Sequence, residues 1–155
     1  MKSPLLISAC LLSLLFACPS RAVAQGTAAG SKLQVSVNYT GAGTVDDKHK
    51  IYVVLWDSPD FIHGGAMPVD IVPTSSKKGT VTFPDVKKSP AYVSTVFDPK
   101  GEWDGQSGPP PEGSSLGLYT KNGGEPEPIA VKAGETAKAE VTFDDSIKMP
   151  AASNT

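Results

Sequence analysis

The sequence predicts an all-β protein: an antiparallel β-sandwich of seven to eight short strands. Three observations carry that expectation. Short runs of alternating apolar residues, or of β-branched and aromatic ones, recur between Gly-, Pro- and Asp-rich breaks. The 155 residues include 15 Gly and 14 Pro, so turn residues punctuate the chain too often for long helices. Beyond the N-terminal region, no stretch carries the helical period.

The elements follow in order. Lys32–Tyr39 places an apolar residue at every second position, which puts them all on one face of a strand. Thr40–Lys50 holds Gly41, Gly43 and Asp46-Asp47 and reads as a long loop. Ile51–Trp56 is a continuous β-branched and aromatic run, the pattern of a central strand covered on both faces. Asp57–Met67 is irregular, broken by Ser58-Pro59-Asp60 and Gly64-Gly65, and a short strand is expected near Val69–Val72. Gly79–Phe83 alternates, and Ala91–Phe97 is a second strong strand. After the loop that follows it come Leu116–Lys121, Pro128–Val131 and Thr136–Phe143. Asn122-Gly123-Gly124 and Ala133-Gly134-Glu135 read as hairpin turns, so the last two strands are expected to pair.

The first residues have a different character. Lys2 precedes an apolar run from Leu5 to Phe16, and Ala22-Val23-Ala24 offers a small-x-small cleavage site. Residues 1–24 are expected to be a secretory signal peptide, 25–31 a flexible leader, 32–146 the β-sandwich and 147–155 a frayed tail. A second reading takes Leu15-Phe16-Ala17-Cys18 as a lipoprotein signal with Cys18 lipidated. Both readings export the chain, as a periplasmic or secreted protein or as one lipid-anchored at the envelope. Cys10 and Cys18 are the two cysteines, so the domain has no disulfide and must rest on a packed core. Removing Lys2 and Arg21 lowers the basic count from 14 to 12 against 16 acids, a formal charge of −4. That mildly acidic balance argues against nucleic acid, and against an anionic membrane, as partner.

The stretch GTVTFPDVKKSPAYVSTVFDPKGEWDG, residues 79–105, resembles the core hairpin of transthyretin-like, or carboxypeptidase-regulatory-like, β-sandwich domains, through Gly79, Phe83, Tyr92 and Asp98. PIAVKAGETAKAEVTF, residues 128–143, is similar to the closing hairpin of that group. IYVVLWDSPDF, with the loop at Asp98–Asp104, also resembles small exported bacterial domains whose loop reads Asp-x-Asn-Gly-x-x-x-Asp. This sequence departs by placing Lys100 at the Asn position and by extending the loop through Gly108-Pro109-Pro110-Pro111. The resemblance implies a non-catalytic domain for adhesion, interaction or scaffolding.

The loop FDPKGEWDGQSGPPPEG, residues 97–113, holds the candidate chemistry. Asp98, Glu102 and Asp104 are candidate calcium ligands, since Ca²⁺ takes six to eight oxygens. Against this, Asp98-Pro99-Lys100-Gly101 has the Pro and Gly positions of a β-turn, and Lys100 adds a positive charge. Trp103, beside the stiff Pro109-Pro110-Pro111 run, is the candidate contact for a protein or glycan partner; the other reading folds Trp103 back over the sandwich. His49 and His63 are the two histidines, and no nucleophile elbow or zinc-protease motif accompanies them. The expected function is therefore a non-catalytic binding or structural domain without a required cofactor. The alternatives are a calcium-stabilised or carbohydrate-binding module, and a hydrolase using loop carboxylates.

Overall fold

A computed structural model describes residues 30–151. The expected signal peptide, most of the leader and Cys18 lie outside the described residues, as do the last four residues. Seven strands form: β1 Lys32–Tyr39, β2 Ile51–Trp56, β3 Asp70–Thr74, β4 Lys78–Phe83, β5 Tyr92–Phe97, β6 Ser115–Leu118 and β7 Thr136–Phe143. They make a three-stranded sheet, β4-β1-β7, and a four-stranded sheet, β3-β2-β5-β6.

Alternation dictates how the sheets meet. Leu33, Val35, Val37 and Tyr39 of β1, with Val81 and Phe83 of β4 and Ala139, Val141 and Phe143 of β7, face Ile51, Val53, Leu55, Val93 and Phe97 of the other sheet. These side chains form one buried core between the layers. Tyr39 sits at its end, its ring 4.8 Å from that of Phe97 and 5.0 Å from that of Phe143. The packing is close: a Cβ at Gly117 would lie 2.6 Å from Phe143 Cβ.

Two expectations about pairing need correction. The fold is not wholly antiparallel, because β7 runs parallel to β1 along its full length, from Lys32 opposite Thr136 to Tyr39 opposite Phe143. Residues 128–131 do not form a strand that turns back into β7. Pro126 and Pro128 remove two backbone donors, and only Ile129 bridges, to Ala91 beside β5. With no hairpin, the chain crosses from one sheet to the other and enters beside β1 in the same direction.

Two segments expected to be irregular have definite structure. Pro59–His63 is a short 3₁₀ helix, capped by Ser58, whose hydroxyl accepts from the Asp60 N–H, and ended by Gly64 at φ 74°. The start of the expected tail is hydrogen-bonded rather than frayed: Leu116 N–H donates to Ile147 C=O, and Met149 N–H to Ser114 C=O. Residues 147–149 thereby line the outer edge of β6.

Candidate functional site: the outer face of the four-stranded sheet

β2 supplies the reason this face matters. Its odd residues enter the core, and its even residues, Tyr52, Val54 and Trp56, point the other way. Register places Pro73 and Ile71 of β3, and Val96, Ser94 and Tyr92 of β5, beside them. This outer face is therefore mostly apolar and needs a cover.

The loop after β5 is that cover at one end. Trp103 is 9% exposed and packs with Tyr52, Val54 and Val96 in a second, smaller core. Its ring meets that of Tyr52 edge-on at 4.9 Å between centroids. The indole Nε1–H donates to Gly108 C=O at 3.2 Å, and the Tyr52 hydroxyl donates to Trp103 C=O at 2.6 Å. Gly105, at φ 81°, lets the backbone pass directly over Tyr52, where a Cβ would sit 2.7 Å from Cδ1. Trp103 is thus part of the fold and does not stand free for a partner. Of the Pro109-Pro110-Pro111 run, Pro109 is exposed and the other two are half-buried.

The three acids of the loop have separate tasks. Asp98 is 2% exposed, and its carboxylate accepts the N–H groups of Lys100 (2.9 Å), Glu102 (2.7 Å) and Trp103 (2.9 Å). Burial alone would raise its pKa; the donors from Lys100, Trp103 and Glu102 outweigh it and hold the carboxyl below its ordinary value. The Asp98–Gly101 turn is closed by Gly101 N–H to Asp98 C=O at 3.2 Å. Asp104 accepts from the Ser107 hydroxyl (2.6 Å) and from the N–H groups of Ser107 and Gln106, which lower its pKa to about 2. Glu102 is exposed. Among the described residues, no three His, Cys, Asp or Glu side chains are grouped to hold a metal ion.

The opposite end of the face is only partly covered, with Trp56 and Tyr92 half-buried. Trp56 donates its Nε1–H to Ser94 Oγ at 2.9 Å and stacks on Phe61 of the 3₁₀ helix, 4.6 Å between centroids and 10° between planes. The 57–69 connection that carries Phe61 exposes Ile62, Met67 (81%) and Val69 (49%). Val69 N–H bonds Leu55 C=O, which ties the lobe to the end of β2. The sequence reads Asp57–Met67 only as irregular; the signal is four large apolar residues, Phe61, Ile62, Met67 and Val69, in a connection too short to bury them all.

A third cluster, also absent from the sequence reading, closes the far end of the core. Asp145 Oδ1 accepts from the Tyr39 and Ser115 hydroxyls, each at 2.6 Å, and Oδ2 from Ala42 N–H at 2.9 Å. Lys148 Nζ reaches Ser115 Oγ at 2.8 Å and Asp145 at 3.1 Å. The Ser115 and Tyr39 hydroxyls hold the Asp145 carboxyl well below the usual range. Burial, with the bond to Asp145, pushes the Tyr39 phenol up to about 12. These contacts tie β1, β6 and the segment after β7 together across both sheets. Of the histidines, His49 has Nδ1 2.8 Å from Asp46 Oδ1, and His63 is exposed at the end of the 3₁₀ helix.

Fold and site together define a small all-β domain of two packed sheets, with a built-in loop over one outer face and an apolar lobe beside it. Comparison with family models, with curated proteins and with solved structures yields no match.

Proposed function

We propose that this chain is an exported, non-catalytic binding domain that holds a protein partner through the Trp56–Val69 lobe. The observation that carries the reading is the exposure of Ile62, Met67 and Val69 on the one connection whose Phe61 stacks on Trp56. Large apolar side chains left in water on one short connection favour an interaction site. Met67 supplies an adaptable side chain and the aromatic pair a rigid anchor. A protein suits the lobe better than a glycan. Trp56 and Phe61 turn ring faces toward each other, and the side chains exposed beside them include aliphatic ones that cannot bond sugar hydroxyls.

The non-catalytic part rests on how the acids are used. Asp98, Asp104 and Asp145 direct their carboxylates at backbone and hydroxyl donors within the domain. Groups fixed in this way brace loops and are poorly placed to shuttle protons. Export rests on the N-terminal sequence pattern alone.

In-cell photocrosslinking tests the reading. A crosslinking residue at Met67 is compared with one at Thr82, which is exposed on the other sheet. The expected result is a discrete adduct from position 67 that disappears when Ile62 and Val69 are both changed to Ser. Matching adducts from both positions would refute the assignment.

A further inference from the structure

β7 is the outermost strand of its sheet. The C=O groups of Glu135 and Phe143 accept from Lys32 and Thr40 N–H of the β1 side. Backbone groups alternate in direction along a strand, so odd positions of β7 serve β1. Thr136, Lys138, Glu140 and Thr142 therefore direct their N–H and C=O groups at the open edge. No hydrogen bond to these groups from across that edge is found among the described residues. A groove of about 630 Å³ lies there, lined in part by Leu118–Lys121 on one side and by Lys138, Glu140 and Thr142 on the other.

The other sheet treats its edges differently. β3 carries Pro73, and β6 is lined by residues 147–149. β7 runs eight residues with neither proline nor glycine. Lys138 and Glu140 sit beside uncharged Gln34 and Ser36 of β1, and neither belongs to an ion pair among the described residues.

We propose that β7 pairs antiparallel with β7 of a second copy, about a two-fold axis at Ala139. Charge selects the register. An axis at Lys138 sets lysine against lysine, and one at Glu140 sets glutamate against glutamate. The axis at Ala139 sets Lys138 opposite Glu140 twice and Thr136 opposite Thr142 twice. Those are the residues whose backbone groups point outward, so the same register forms about eight inter-chain hydrogen bonds. On the inner side it sets Ala139 against Ala139 and Ala137 against Val141, small groups that let two domains approach. The contact is self-complementary, as a two-fold dimer requires. It joins two three-stranded sheets into one and leaves the Trp56–Val69 lobe, on the other sheet, free in each copy.

Sedimentation equilibrium of the purified protein, from about 1 µM to about 1 mM, tests this. A reversible dimer is expected. Lys138→Glu places glutamate opposite glutamate at two symmetric sites and should weaken the dimer roughly tenfold or more. Glu140→Lys should act alike. The double variant, Lys138→Glu with Glu140→Lys, restores opposite charges and should return the dimer to within about threefold of the parent. Lys138→Pro deletes an outward N–H without touching the β1 ladder and should abolish association. Circular dichroism and melting confirm that each variant is folded. A parent that stays monomeric throughout overturns the proposal, as does a folded double swap that fails to recover dimer.

Discussion

Replacing Trp103 with alanine separates a structural Trp103 from an exposed recognition residue. The indole is 9% exposed, rests on Tyr52, Val54 and Val96, and donates to Gly108 C=O. Truncating a buried tryptophan typically costs about 3–5 kcal/mol. Trp103 lies in the smaller core and under one loop, so the low end applies, about 3 kcal/mol. Within that figure, the edge-on contact with Tyr52 contributes about 1 kcal/mol and the indole hydrogen bond about 1 kcal/mol. Trp103→Phe keeps an aromatic ring against Tyr52 but loses the bond and part of the packed indole, so its cost should be intermediate, about 2 kcal/mol. Urea unfolding followed by far-ultraviolet circular dichroism reads both variants without depending on the lost fluorophore. At this chain length a 3 kcal/mol loss also lowers the melting midpoint by roughly 10 °C or more. A Trp103→Ala protein within about 0.5 kcal/mol of the parent would refute the reasoning, because that is the behaviour of a surface residue.

Three further outcomes follow from the same geometry. Asp98→Ala leaves the N–H groups of Lys100, Glu102 and Trp103 without their acceptor and should destabilise by about 3 kcal/mol, with faster hydrogen exchange at those amides; unchanged exchange would contradict the bracing role. Stability should be flat at neutral pH and fall at both extremes: Asp98, Asp104 (about 2) and Asp145 titrate below their ordinary values, so their contribution, present above about pH 4, is lost as pH drops through their folded values. Tyr39, pushed up to about 12, adds stability below about pH 10 that is lost as pH rises toward 12, and Tyr39→Phe should flatten this alkaline limb in a pH series of melts. Adding Ca²⁺ or EDTA should leave the melting midpoint unchanged within about 1 °C, because Asp98 and Asp104 already direct their oxygens at backbone donors; a calcium-dependent rise would reinstate the loop as a metal site.

Residues 32–39 and 136–143 were legible because strict alternation leaves one arrangement that buries all their apolar groups. The direction of their pairing was not legible. Alternation is the same read forward or backward, and which way β7 enters beside β1 depends on the path of the chain between the two sheets, which no local pattern in β7 encodes. The site shows a similar division. The Asp98–Gly101 turn was readable from its Pro and Gly positions. The place of Trp103 depended on β2, whose unbroken apolar run announced that both faces would be covered without saying by what. Asp145 gave no local signal: its partners Tyr39 and Ser115 lie 106 and 30 residues away in sequence.

The loop after β5 and the lobe after β2 answer the same physical demand at opposite ends of one sheet face. At the Ile51–Phe97 end, apolar Tyr52, Val54 and Val96 are closed over by Trp103, and Asp98 fixes the loop that carries it. At the Trp56–Tyr92 end the chain had an equal opportunity to fold a cover inward, since the 57–69 connection is anchored there by Val69 N–H to Leu55 C=O. Instead its 3₁₀ helix stacks Phe61 on Trp56 and leaves Ile62 exposed, and Met67 beyond the helix is exposed as well. A connection that only needed to close the sheet would gain by burying those side chains, and polar residues in their place would lose nothing in packing. Under the proposed reading, a protein partner would complete the cover that these exposed side chains leave unmade.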